Sequence, residues 1–263
     1  MEAGPRRGAA GPGAPALIAV VTRYLPLLLL GAGWELSSRL GLVAPALLPP
    51  LSQVLAAWLA LAGEGELLRH GAASLGRGLT GLALAVVVGT VLGVTMAWYT
   101  AFRVVVSPLV QILYPLPKSA LIPVMIIWLG LGHASKVGVI FLGCLLPVVL
   151  SAYNGARGVD RVLIWSARGM GASRARVLWE IVVPAALPEI LSGVRIAIAL
   201  SFVLLVSSEF VGAREGLGYL ISFLGEGGAY DAMFASVFTV ALLGFVADRL
   251  YLLTSRRALA WRA

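Results

Sequence analysis

The chain has 263 residues, of which 60% are hydrophobic and 12% charged, against about 25% charged in an ordinary soluble domain. That balance leaves too few polar groups to cover a water-soluble globule, and a single cysteine, Cys144, excludes an internal disulfide and a cysteine metal cluster. The formal charge of +8 would suit nucleic acid in a soluble protein, but in a chain this apolar it reads first as the arginine bias that sets membrane topology.

The N-terminal stretch MEAGPRRGAAGPGAPA is rich in Gly, Ala and Pro and predicts a flexible cytoplasmic tail over 1–15. No small-residue cleavage site follows, so the next apolar run is read as an uncleaved span and 16–263 as one transmembrane domain. Hydropathy and its breaks place spans at about 16–36, 72–98, 108–132, 137–154, 192–211 and 232–253. These runs approach or exceed the roughly 20 residues of a membrane-crossing helix and are far too long for barrel strands. Six spans put both termini on one side. Placing them inside leaves only Arg39, Arg69, Arg77, Lys136 and Arg214 outside, which puts the basic stretch 157–190 in the cytoplasm.

Between the first two spans, 47–65 predicts a turn at Pro49 and Pro50 and a short amphipathic helix, with Ser52 as N-cap and Gly63 at its end. The third span is interrupted by Pro115, Pro117 and Pro123 and carries Lys118. Irregular backbone at membrane depth needs protein or a water-lined cavity to satisfy it, so this span is expected inside the bundle.

Enzyme signatures are mostly absent. Neither Lys118 nor Lys136 follows the glycine of a Walker A loop, and His70 and His133 lie far apart in predicted external loops, without an HExxH. Gly76, Gly78 and Gly81 spell GxGxxG but follow no strand. Like Gly89 and Gly93, they read as small residues easing helix contact.

The cytoplasmic segment GVDRVLIWSARGMGASRARVLWEIVVP reads as two short helices at an angle. Asp160 caps the first, Gly169 and Gly171 end it, and Pro184 breaks the second. Val177, Leu178, Ile181 and Val182 form an apolar ridge that must be covered, by the membrane surface, by the chain's own bundle or by a cytoplasmic partner.

This segment resembles the EAA loop of the permease subunits of ABC importers, whose pattern runs Glu-Ala-Ala, three residues, Gly, nine residues, Ile, one residue, Leu-Pro. Ala167, Gly171, Ile181 and Pro184 match at the family's spacing; Trp165 stands where Glu is expected, Ser166 where the first Ala is, and Val183 where Leu is. WELSSRLGLVAPALLPPLSQVLAAW, SLGRGLTGLALAVVVGTVLGV, IPVMIIWLGLG, NGARGVD and SSEFVGAREGLGYLI extend the similarity over most of the chain, to the nitrate, taurine and aliphatic-sulfonate branch.

The resemblance implies an all-α membrane protein of the type I importer permease fold in the bacterial inner membrane. It implies a homodimer with two cytoplasmic ATPase subunits below and an extracytoplasmic binding protein above, in contact with lipid and not with nucleic acid. The solute would be small and anionic, of sulfonate, taurine or nitrate kind. Such a subunit catalyses no covalent chemistry and holds no cofactor; ATP and Mg belong to the ATPase. Its elbow, comprising Trp165, Ser166, Ala167, Arg168, Gly171, Ala172, Ser173, Val177, Ile181 and Pro184, would dock there and carry the closing motion into the bundle.

For the pathway or a gate, the polar groups of the fifth span, Ser201, Ser207, Ser208 and Glu209, are candidates, with Tyr153 and Asn154 at the end of the fourth. The serines suit hydrogen bonding between spans equally, and Glu209 could instead stabilise the loop AREGLGYL. The competing classes, a self-contained carrier or channel and a scaffold subunit, would move solute without an ATPase or not at all.

Overall fold

The computed structural model describes residues 14–262, so all but the last two residues of the predicted tail lie outside the described residues. Every element there is helical: α1 (Ala14–Arg39), α2 (Leu51–Gly63), α3 (Glu66–Trp98), α4 (Thr100–Leu113), α5 (Ile122–Leu129), α6 (His133–Arg157), α7 (Arg161–Gly169), α8 (Arg174–Val177), α9 (Val183–Glu209), α10 (Leu217–Glu226) and α11 (Tyr230–Ala258), with short 3-10 turns at Lys118–Leu121 and Ala260–Arg262. Four helical runs are long and apolar enough to cross a bilayer: α3, α6, Arg174–Glu209 and α11. The pair Thr100–Leu113 and Lys118–Leu129, bent by 97°, makes a fifth, and α1, at 26 residues, makes the count compatible with the six predicted spans.

The core lies where α6 passes between α3 and α9. Without a hydrophobic drive between helices in lipid, close approach of small residues supplies the packing. Gly81, Ala85, Gly89 and Gly93 recur every fourth residue on α3 and lie on α6 against Ile140, Val148 and Ala152. On the other side of α6, Gly193 of α9 meets Ser151, and the Cys144 thiol donates to the Ala197 carbonyl at 3.2 Å. The lone cysteine is fully buried and free, as an inert packed thiol should be.

Three expectations are corrected. The first half of the bent third span lies on the outside of the single chain, since α4 has no buried residue and Ile112 is 71% exposed, while α5 packs on α6 and sends Ile122 and Met125 into the core as expected. Its broken backbone is satisfied from within, because the Lys118 ammonium donates to the carbonyls of Leu113, Tyr114 and Leu116. Pro184 breaks nothing. A π-helical turn at Leu178–Val182 precedes it, so the Val183 amide reaches back to Leu178 and the helix runs unbroken from Arg174 to Glu209. A proline in the first turn of α9 then lacks only a donor the π turn does not require of it. Ser52 does not cap α2; its amide and hydroxyl both donate to the Glu35 carboxylate of α1 at 3.0 and 2.7 Å, so a neighbouring helix supplies the capping acceptor.

Candidate functional site

At one end of the bundle the elbow forms as its sequence dictates. The Asp160 carboxylate accepts from the Val162 amide at 2.8 Å and starts α7. Gly171 ends it in the left-handed region, φ +86°, with the Ala172 amide donating to Ala167 and the Gly171 amide to Arg168. This is the paired closure that favours glycine at that position. The Ser173 hydroxyl then accepts from the Arg176 amide and starts α8.

The predicted ridge splits between two surfaces. Val177, Leu178 and Val182 join the bundle core with Ala167, and Val177 is 0% exposed, so it seats the elbow on its own chain. Ile181 and Pro184 are half-buried. The outward face carries Trp165 (64% exposed), Met170 (81%) and Trp179 (67%), beside exposed Ser166, Arg168 and Gly171. Met170 and Trp179 were missed from sequence; their signal was apolar bulk beside, not on, the helical ridge. A groove of about 320 Å³ between α7 and α8 is lined by Met170, Gly171, Ala172, Arg176, Glu180 and Ile181. Its one carboxylate, Glu180, pairs with Arg176 at 2.9 Å.

At the opposite end, residues scattered in sequence converge on Glu209. Its buried carboxylate accepts from Arg77 Nη1 at 2.6 Å, from the Ser74 hydroxyl at 2.8 Å and from the Gly218 amide at 2.9 Å. Ser74 in turn accepts from the Leu217 amide at 2.8 Å, and Arg77 donates to the Glu215 carbonyl and carboxylate at 2.8 and 3.0 Å. The histidines complete the cluster. His70 Nδ1 accepts from the Gly216 amide, which leaves the other ring nitrogen to donate to Glu66. His133 Nδ1 accepts from Arg77 Nε, and its Nε2 faces Glu215 at 3.1 Å. Three helices, α3, α6 and α9, are thereby tied to the N-terminus of α10.

The remaining pathway candidates do not gather in one place. Ser201 and Ser208 donate to carbonyls three residues earlier in their own helix, at 2.7 and 2.9 Å, and not between spans; Ser207 is half-buried. The Tyr153 hydroxyl accepts from Arg157 at 2.6 Å, and Asn154 lines a small recess with Gly158 and Glu189 near the elbow. A cleft of about 430 Å³ lies elsewhere, between the α4–α5 bend, α6 and α9, lined by Tyr114, Lys118, Leu146, Ser151, Ile196 and Leu200 among others. Among the described residues no group of His, Cys, Asp and Glu has the geometry of a metal site.

Residues 85–259 match the family described as binding-protein-dependent transport system inner membrane component. The chain is similar to the taurine transport system permease protein TauC of Escherichia coli (strain K12), 36% identical over 233 residues that make up 87% of this chain and 85% of the relative. It is also 30% identical, over 87% of its length and 83% of the relative's, to the putative aliphatic sulfonates transport permease protein SsuC of Bacillus subtilis (strain 168). Among solved structures, the inward-facing MetNI methionine ABC transporter superimposes with a TM-score of 0.64 at 19% identity, covering 75% of this chain and 98% of that one.

Proposed function

Because this chain belongs to the binding-protein-dependent transport system inner membrane component family, the permease subunits of ABC importers, we propose that it forms, as a homodimer, the translocation pathway for a small anionic solute of sulfonate or taurine kind. The elbow at Asp160–Ser173 faces the cytoplasm in this reading, both termini lie inside, and a separate ATPase grips the elbow while a binding protein delivers solute to the opposite end.

The observation that carries the reading is mechanical. α6 leaves the Glu209 cluster at His133 and runs without interruption to Arg157, one short turn before the Asp160 cap of the elbow. From the elbow, the unbroken run Arg174–Glu209, about 54 Å long at 1.5 Å per residue, returns to the same cluster. A rigid turn joined by two continuous rods to a clamped cluster can pass motion from one end of the bundle to the other. The exposed aromatic and methionine side chains of the elbow give a partner its apolar grip. The uncovered apolar face of α4 supports a second copy of the chain as its cover, and the sulfonate assignment rests on the two relatives. Glu209 acts here as the brace of the outer end, and Ser201, Ser207 and Ser208 as packing groups.

Gly171→Asp tests this reading. The substitution places a carboxylate on a left-handed residue at a local cost of about 1–2 kcal/mol, and sets it in the groove beside Glu180. Membrane insertion and dimer yield are expected to match the parent. Binding-protein-stimulated ATP hydrolysis and ATP-driven uptake of taurine in proteoliposomes are expected to be lost. Coupled turnover at the parent's rate in that variant would refute the elbow's role.

A further inference from the structure

We propose that Lys118 is the charge an anionic solute meets inside the membrane, an inference that rests on the transport reading above. Lys118 stands at the 97° bend between α4 and α5, and its stem lies 3.6 Å from where a Cβ on Gly143 of α6 would sit. Gly143 lies ten residues after His133, about 15 Å into a helix of 25 residues, so the lysine is near the middle of the span and not at an interface. An ammonium at that depth is costly and needs a reason.

Its partners define the reason. Nζ donates to three backbone carbonyls, Leu113, Tyr114 and Leu116, and among the described residues Lys118 enters no ion pair. The two fully buried cations of the described residues differ in this respect or in place: Arg77 has two carboxylates, and Lys136 sits at the Glu209 end, bonded to the Leu131 carbonyl, whereas Lys118 is half-buried and open to the cleft. Neutral carbonyls orient the Lys118 ammonium without cancelling its charge. The charge therefore remains available to the cleft of about 430 Å³ that Lys118 lines with Tyr114 and Ser151, in a setting where the walls are otherwise aliphatic and screening is weak. A sulfonate or carboxylate passing this cleft gains attraction without forming a direct ion pair, which suits a path that must also release its solute. The bend itself is what delivers the lysine: Pro117 has no amide hydrogen to return to the Leu113 carbonyl, which the Lys118 ammonium takes instead, and the break turns the chain toward α6.

The test restores charge without restoring lysine. In a Cys144→Ser background, which removes a buried thiol, Lys118→Cys is reconstituted with its ATPase and binding protein. It is assayed for uptake of labelled taurine and ethanesulfonate, each expressed per ATP hydrolysed. Uptake per ATP is expected to fall about tenfold, the scale of one weakly screened charge. Treatment with 2-aminoethyl methanethiosulfonate, which adds an ammonium, is expected to recover most of it, and methyl methanethiosulfonate is expected to recover none. Unchanged uptake per ATP in Lys118→Cys overturns the proposal, as does equal recovery with both reagents, which would mark the lysine as a spacer or helix cap only. A Cys144→Ser complex that moves neither probe, or moves solute without ATP, overturns the transport reading itself and is distinguishable because Lys118 is intact in it.

Discussion

Arg77→Met is expected to destabilise the folded chain by about 3–5 kcal/mol, because it leaves the Glu209 carboxylate buried without its cation. Methionine keeps most of the side chain's length and removes five donors, so the loss falls on the Glu209, Glu215 and His133 contacts together. The reverse change should be milder. Glu209→Gln retains an acceptor for Ser74 or the Gly218 amide, and Arg77 keeps Glu215 as a carboxylate partner at 3.0 Å. The double variant Arg77→Met with Glu209→Met should regain much of the lost stability, since breaking a buried pair costs more than replacing both members by apolar groups. Thermal inactivation half-lives of the purified protein in nanodiscs rank the three variants. A single Arg77→Met as durable as the parent, or a double variant no better than that single, would show that the pair is not what holds α10 to the bundle.

That cluster marks the boundary of what hydropathy reveals. The spans themselves were legible because lipid forces apolar length, and the glycine-ended elbow was legible because a left-handed residue after a capped helix leaves a local pattern. His70 and Lys136 read as groups in external loops and Arg77 as a charge at the outer end of its span, whereas all three are buried within helices that start earlier than the apolar runs: α3 begins at Glu66, not at 72, and α6 at His133, not at 137. The contacts of Arg77 and His70 with Glu209, Glu215 and Gly216 span 132 to 146 residues, separations no local pattern encodes. One local signal was present. His70, Ser74 and Arg77 fall at i, i+4 and i+7, a polar stripe on one helical face at the end of an apolar span, and such a stripe needs buried partners. The elbow shows the opposite limit. Periodicity found its apolar ridge but not which way the ridge faced, because Val177 and Val182 look the same whether they seat against their own bundle or against another protein.

Gly93→Ala carries the second large effect, and it separates packing glycines from incidental ones. A Cβ on Gly93 would collide with the Val149 carbonyl oxygen and stand 2.7 Å from the Ala152 Cβ and 2.9 Å from the Tyr153 amide nitrogen. Those atoms belong to the backbone and first carbon of α6, which no rotamer change can move aside. α3 and α6 must therefore separate along the stripe Gly81, Ala85, Gly89 and Gly93, and overpacking of this kind costs about 1–3 kcal/mol. Gly93→Val should cost more, since its branches meet the same backbone. Gly76→Ala is the control: nothing lies within 4 Å of its Cβ, so the helix gains about 0.5–1 kcal/mol from the lost backbone freedom. The two substitutions are chemically identical and lie on one helix, so their opposite signs in a thermal unfolding series would isolate the contact with α6. Equal signs would mean that α3 and α6 can part at no cost. In that case neither the span pairing nor the rigid path from the elbow to the Glu209 cluster would stand as described.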